Sequence, residues 1–174
     1  MLYQQSYHSP LGELTLVSNE TALVGLWFKG QKYYQATITG QPVQLQETSV
    51  LKQVTRWLDA YFLSKNPSPA EIPLFPPQVT AFRRAVLAVL QEVPYGQTRT
   101  YGQIAQTLAT RLHRRSLSAQ AVGGAVGHNP IALLIPCHRI IGSTGKLTGY
   151  AAGLAKKAQL LELELGMPLA EKLK

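Results

Sequence analysis

The chain has a single cysteine, Cys137, among its 174 residues. That excludes an internal disulfide and a structural zinc site built on several cysteines, and it makes a reducing compartment, the cytoplasm, the expected location. No uncharged apolar run approaches the ~20 residues needed to span a bilayer, so no membrane partner is expected. The opening MLYQQSYHSPLGEL has neither the basic start nor the apolar centre of a secretion signal. Acids are scarce as well, nine Asp and Glu against seventeen Lys and Arg, for a net charge of +8. Otherwise the composition is that of an ordinary globular protein, 45% apolar and 15% charged. The length suits one domain or two small ones.

The acid deficit lies entirely in one half. Residues 1–76 carry five basic and five acidic side chains, whereas residues 77–174 carry twelve basic and four acidic ones. A neutral half beside a strongly basic one points to a polyanion partner for the basic half.

Strand signals open the neutral half. Glu13–Val17 and Ala22–Phe28 are short apolar runs separated by Ser18-Asn19-Glu20, the pattern of a hairpin. Val50, Leu51, Val54, Trp57, Leu58, Tyr61 and Phe62 then fall on one helical face. Six prolines between Pro67 and Pro94 follow, five of them by Pro77, and they predict a stiff extended linker over about 65–78. The expected organisation is a small mixed strand-and-helix domain over 1–76 and a helical domain over 77–174.

The basic half reads as helices. Thr80 caps one that ends at Pro94-Tyr95-Gly96, and Thr100 with Gln103 has the spacing of a capping box. Ser118 caps a third helix, 119–126, which Asn129-Pro130 stops. Two short helices joined by the basic stretch Arg111-Leu112-His113-Arg114-Arg115 fit a helix-turn-helix whose linker meets phosphates. The helix 119–126 is almost wholly Ala, Gly and Val. Such a helix packs tightly against a core neighbour or lets its backbone approach something narrow. Its glycines lower helix stability by about 1 kcal/mol each relative to alanine, so one of these reasons is expected.

Cys137 sits in the run Ile135-Pro136-Cys137-His138-Arg139. The thiolate is the nucleophile, and near neutral pH a free cysteine is mostly thiol. A nearby base or cation is needed, and this run supplies both. The same residue types also fit a buried structural cysteine, since free cysteines are among the most buried residues.

Taken together, Val93-Pro94-Tyr95-Gly96, Thr100-Tyr101-Gly102, Ala121-Val122-Gly123-Gly124-Ala125, Asn129-Pro130, Ile135 to Gly142, Gly149-Tyr150 and Leu160 to Glu164 resemble the O6-alkylguanine-DNA alkyltransferase family. The resemblance implies an α+β protein with a small ribonuclease H-like N-terminal domain and a winged helix-turn-helix C-terminal domain. It implies a single-use transferase that binds double-stranded DNA as a monomer, without a cofactor. The alkyl group of O6-alkylguanine, and of O4-alkylthymine, passes irreversibly to Cys137. A base inside a stacked duplex cannot bring its alkyl carbon to a sulfur, so base extrusion is expected. In this family the second helix enters the minor groove, which small residues fit.

By the same resemblance His138 draws the thiol proton through a bridging water, Glu164 orients His138, and Asn129 braces the turn before the cysteine. Tyr101, Tyr150, the backbone N–H of Ala151, and Lys157 surround the base and its alkyl group. Gln120, Ala121, Gly123, Gly124, Arg114 and Arg115 are placed on DNA, and Arg139 is assigned backbone support or a phosphate contact. Glu162 is an internal control, because residues two apart on a helix face differently and only one of the two acids is expected to matter.

The sequence departs from the pattern in places. Many members carry an arginine on the second helix that fills the hole left by the extruded base, and here that position is Gln120. Ala151 stands where a serine is usual, leaving only its N–H. The loop over about 109–117 is longer than in compact members. The N-terminal half lacks the cysteine and histidine cluster that some members use for zinc, so no metal is expected. Two other readings stay open at this level. One is a cysteine hydrolase built on Cys137, His138 and Glu164, and the other is an alkylation-damage sensor with an inert cysteine.

Overall fold

A computed structural model describes residues 1–169; the last five residues of the expected 77–174 domain lie outside it. The chain divides into two compact units, one of residues 1–79 with 130–132, the other of 80–129 with 133 onward.

The first unit is built on a four-stranded sheet of order β3-β2-β1-β4. β1 (Leu2–Ser9), β2 (Gly12–Ser18) and β3 (Leu23–Phe28) run antiparallel, and β4 (Val43–Leu45) joins β1 in parallel. β2 and β3 are the expected hairpin. β1 is not evident in the sequence, because only Leu2 of its eight residues is buried. Alternation along the strands divides the side chains between two faces. Gln5 and Tyr7, opposite Leu16 and Leu14, face α1 (Ser49–Phe62). Gln5 donates to Thr55 at 2.8 Å and Tyr7 to Asp59 at 2.6 Å. The helix buries the apolar stripe read from the sequence, from Val50 to Tyr61, and Thr48 caps it. Leu2, Val17, Val24, Trp27 and Ile38 form a core cluster closed by Tyr34. Any Cβ at Gly25 would collide with the Trp27 indole, so glycine there makes room for the ring.

The proline-rich stretch is not a free spacer along its whole length. Leu23 N–H donates to Pro73 at 2.9 Å, and Phe75 N–H donates to Leu23 at 2.8 Å, so Leu74 extends the edge of β3. Ile131 does the same beside Leu26.

The second unit holds α2 (Ala81–Leu90), α3 (Tyr101–Arg111), α4 (Ala119–Gly127) and α5 (Leu154–Leu165). β5 (Arg99–Thr100) and β6 (Ile140–Ile141) pair in parallel. Each expected cap is present: Thr80 accepts from Arg83, Thr100 and Gln103 close a capping box, and Ser118 accepts from Ala121. The helix-turn-helix is therefore α3 and α4, with the exposed loop 112–116 between them. Among the described residues no helix is long and apolar enough to cross a membrane.

Candidate active site

Residues 133–141 are buried without a break, an arrangement that fixes the cysteine from both sides. The structure winds Cys137–Arg139 into one turn of 3-10 helix. Pro136 (φ −82°, ψ 63°) makes an inverse γ-turn in which Cys137 N–H donates to Ile135 at 2.8 Å. Arg139 N–H closes the next turn onto Pro136 at 3.0 Å. Asn129, buried at the end of α4, donates its side-chain amide to the Ile135 carbonyl at 2.8 Å and pins the entry to this turn.

The turn points both residues after the cysteine at Glu164 on α5. His138 Nε2 meets Glu164 Oε2 at 2.5 Å. Arg139 donates from Nε to Oε1 at 2.7 Å and from Nη2 to Oε2 at 3.1 Å, and its Nη1 reaches the Val93 carbonyl at 2.7 Å. Gly96 N–H donates to Oε1 at 3.1 Å. The three side chains are almost wholly enclosed. Glu162 instead accepts from Leu169 N–H at 3.2 Å and stays half-buried. The two acids thus face different surroundings, as residues two apart on a helix do.

Arg139 as a DNA contact does not stand. It is 8% exposed, with its guanidinium donors turned inward to a carboxylate and a carbonyl. The signal missed was the carboxylate itself, 25 residues away in sequence. The Gly96 N–H, the Val93 carbonyl and Thr148, whose side chain hydrogen-bonds Tyr101, were also not read as parts of the site.

Electrostatics follow from dryness. Burial pushes the Cys137 thiol above its ordinary value, against a hydrogen bond with Asn129, the charge of Lys157 and nearby backbone N–H groups. The resting sulfur is therefore a thiol, and its proton must leave as it reacts. Burial pushes the His138 imidazole down, against the pull of Glu164. Burial opposes ionisation of Glu164 too, but His138 and Arg139 together hold its carboxyl well below the usual range.

Lys157 is buried. It donates to the Gly149 carbonyl at 2.9 Å and lies 5.7 Å from the Tyr101 ring centroid. Burial lowers its amine to about 8, with Cys137 opposing. The folded pKa is below the unfolded one. The buried cation thus costs stability below about pH 8, and the cost fades as pH rises toward the ordinary 10.5. Lys157→Met is expected to raise the melting temperature at neutral pH while slowing reaction at Cys137, measured by thermal unfolding and by thiol alkylation.

Burial raises the Tyr101 hydroxyl, and raises that of Tyr150 well above its ordinary value. The Tyr150 hydroxyl is enclosed with no hydrogen-bond partner among the described residues. Ala151 is half-buried in the turn before α5. Gly123 presents its bare Cα face to the Tyr101 ring, where a Cβ would meet ring carbons at 3.8 Å. Gln120, Ala121 and Gly124 are exposed on α4, and Arg114 and Arg115 are exposed in the preceding loop. Asn129, Cys137, His138, Lys157 and Glu164 are thus buried, Tyr101, Gly123, Tyr150 and Ala151 are half-buried, and Gln120, Ala121, Gly124, Arg114 and Arg115 are exposed.

Two family descriptions match the chain. The 6-O-methylguanine DNA methyltransferase ribonuclease-like domain matches residues 2–76, and the DNA binding domain of the same family matches 81–166. A methylated-DNA--protein-cysteine methyltransferase of Methanosarcina acetivorans is 38% identical over 94% of this chain and 98% of its own length. One from Mycobacterium tuberculosis is 37% identical over 94% and 93%. Among solved structures, Mycobacterium tuberculosis OGT in complex with DNA aligns with a TM-score of 0.80 at 35% identity, covering 98% of both chains. With both of its units matched, the chain belongs to the 6-O-methylguanine DNA methyltransferase family.

Proposed function

We propose that this protein repairs DNA by direct reversal, moving the alkyl group of O6-alkylguanine in duplex DNA to Cys137, irreversibly and once per molecule. It acts as a monomer in the cytoplasm and also accepts O4-alkylthymine. The observation that carries the reading is the enclosed Cys137 thiol, followed in the same turn by a buried imidazole that Glu164 anchors at 2.5 Å.

The Cys137 proton passes through a bridging water to His138, and the sulfur attacks the alkyl carbon. The O6–carbon bond breaks, its electron pair leaves on the guanine, and a proton from solvent completes the base at N1 while His138 returns the thiol's proton to solvent. The thioether formed is stable, so nothing regenerates the thiol. Asn129 holds the turn that aims the sulfur. Donors placed at the developing guanine charge typically supply a few kcal/mol. The Tyr101 hydroxyl and the Ala151 N–H serve here, with Lys157 adding positive charge and Tyr150 lining the alkyl pocket.

On the DNA side, the exposed backbone of Gly124 and the side chains of Gln120 and Ala121 on α4 enter the minor groove, and Arg114 and Arg115 meet phosphates. Gly123, beside them on α4, keeps that face of the helix slim for the groove. Gln120 takes the place of the extruded base, where its amide hydrogen-bonds the orphaned cytosine. Gln120→Ala is expected to slow repair of a methylated duplex several-fold more than reaction with free O6-benzylguanine. Equal slowing on both substrates removes the plug role. The hydrolase reading requires product in excess of protein, and the sensor reading requires an unmodified sulfur; peptide mass after exposure to a methylated duplex separates both from alkyl transfer.

A further inference from the structure

Glu164 is an unusually crowded carboxylate for a group whose role is to orient one histidine. Each oxygen accepts one bond from Arg139 and one other, from Gly96 N–H on Oε1 and from His138 on Oε2. The guanidinium takes it side-on through Nε and Nη2, the two-pronged geometry that gives arginine–carboxylate pairs their strength and direction. With Nη1 on Val93, the same fork ties the Val93–Gly96 loop to the cysteine turn and α5.

We propose that Arg139 is a positioning residue for the transfer step: by sharing Glu164 with His138, it fixes the carboxylate and keeps the imidazole in the neutral form that accepts a proton. The inference rests on the alkyl-transfer reading of Cys137.

The physical argument is one of charge count in a dry site. An ionised carboxylate buried with only an imidazole for company draws a proton onto that imidazole, because a lone buried anion is costly. A protonated His138 has no capacity left to take the thiol proton. Arginine is always charged. Its presence neutralises Glu164 without any help from His138, and a further proton on the ring then adds an uncompensated positive charge. Burial is the largest influence and already disfavours a charged ring, and the charges around it act in both directions. Glu164 on α5 attracts a proton, while Arg139 on the same turn and Lys157 on α5 repel one. Cys137, the preceding residue, is a neutral thiol raised by burial, and Tyr150 and Tyr101 are phenols that burial keeps neutral. Orientation is retained because the Glu164 bond to Nε2 needs only the ring N–H.

The test has two readouts. The first is the titration of the His138 ring, followed by the NMR signal of its carbon-bound protons. The second is the pH profile of Cys137 benzylation by free O6-benzylguanine, which needs no DNA. In Arg139→Gln the His138 titration and the acid limb of the profile are expected to move up together by about 1 to 3 pH units, as for loss of an adjacent charge. The rate then recovers at alkaline pH. Arg139→Lys, which keeps the charge but not the fork, is expected to return the titration most of the way to wild type. The double variant Arg139→Gln/Glu164→Gln removes both charges, leaves none uncompensated, and is expected to titrate at or below wild type; it carries the test if the single variant does not fold. A variant that is slower by the same factor at every pH, with His138 titrating as in wild type, overturns the proposal. So does a double variant that titrates above wild type. If the wild-type protein takes up no benzyl group, the alkyl-transfer reading falls, and the NMR titration still decides what Arg139 does to the ring.

Discussion

Replacing Cys137 with serine is expected to leave a folded protein that transfers no alkyl group. The substitution exchanges one small side chain for another at a site 7% exposed, and Asn129, which hydrogen-bonds the sulfur, remains to hold the hydroxyl. The chemical consequence is far larger than the structural one. A serine hydroxyl is much harder to ionise than a thiol, and the Asn129 bond and Lys157 charge that favour the ionised form do not overcome burial even for the sulfur. His138 is a neutral ring held by one carboxylate, and the nearby positive charge, Lys157, is itself pushed down to about 8. Loss of a nucleophile of this kind costs roughly 10⁴-fold or more in rate. Lesion removal from a labelled duplex in single-turnover conditions checks it, and Cys137→Ser protein that still clears the lesion refutes the assignment of the acceptor.

Glu164→Gln carries the largest expected effect on stability. The substitution keeps an acceptor for His138 but replaces a carboxylate oxygen with an amide that cannot accept from both Arg139 and its other neighbour. The Arg139 charge then remains buried without a counter-ion. Breaking a buried pair by removing one partner costs about 3–5 kcal/mol, and denaturant unfolding at neutral pH measures it. The pH dependence has a defined sign. The folded pKa of Glu164 is depressed, so the stability it contributes is present above the ordinary carboxylate value of 4.5 and is lost as pH falls below that value toward the folded one. Wild-type protein is expected to weaken along that acid limb, and the difference between wild type and Glu164→Gln to shrink over the same range. A constant difference across that range contradicts the charged state assigned to Glu164.

Local chemistry made much of the helical unit legible. Thr80, Thr100 with Gln103, and Ser118 each place a side-chain oxygen where the first turn has free N–H groups, and such caps act within three residues. The amphipathic face of α1 was readable for the same reason: the period belongs to the helix alone. β1 was not, because its residues are mostly polar and half-exposed, and the strand is held by pairing with β2 and β4 rather than by its own pattern. β4, three exposed residues, carries no periodic signal. The cysteine turn has no periodic signal of its own, because its geometry depends on a side-chain bond from Asn129, just past α4, to the Ile135 carbonyl.

The site itself was legible in its identities more than in its connections. Cys137 stands out as the single cysteine, His138 and Glu164 follow from the resemblance, and helix phase adds only that Glu162 and Glu164 face differently. Of the two roles expected for Arg139, backbone support agrees with its bond to the Val93 carbonyl, whereas the phosphate contact gives way to a carboxylate on another helix. A charged side chain reveals its partner only in three dimensions, and here the partner converts a presumed surface contact into part of the buried network.

The most direct measurement is the mass of the peptide containing Cys137 after the intact protein meets a stoichiometric excess of duplex carrying one O6-methylguanine. One methyl mass on that peptide, on every molecule and on no other peptide, with repaired guanine formed in equal amount, is the result that alkyl transfer to this sulfur requires. An unmodified Cys137 beside repaired DNA, or repaired bases outnumbering protein molecules, would contradict it.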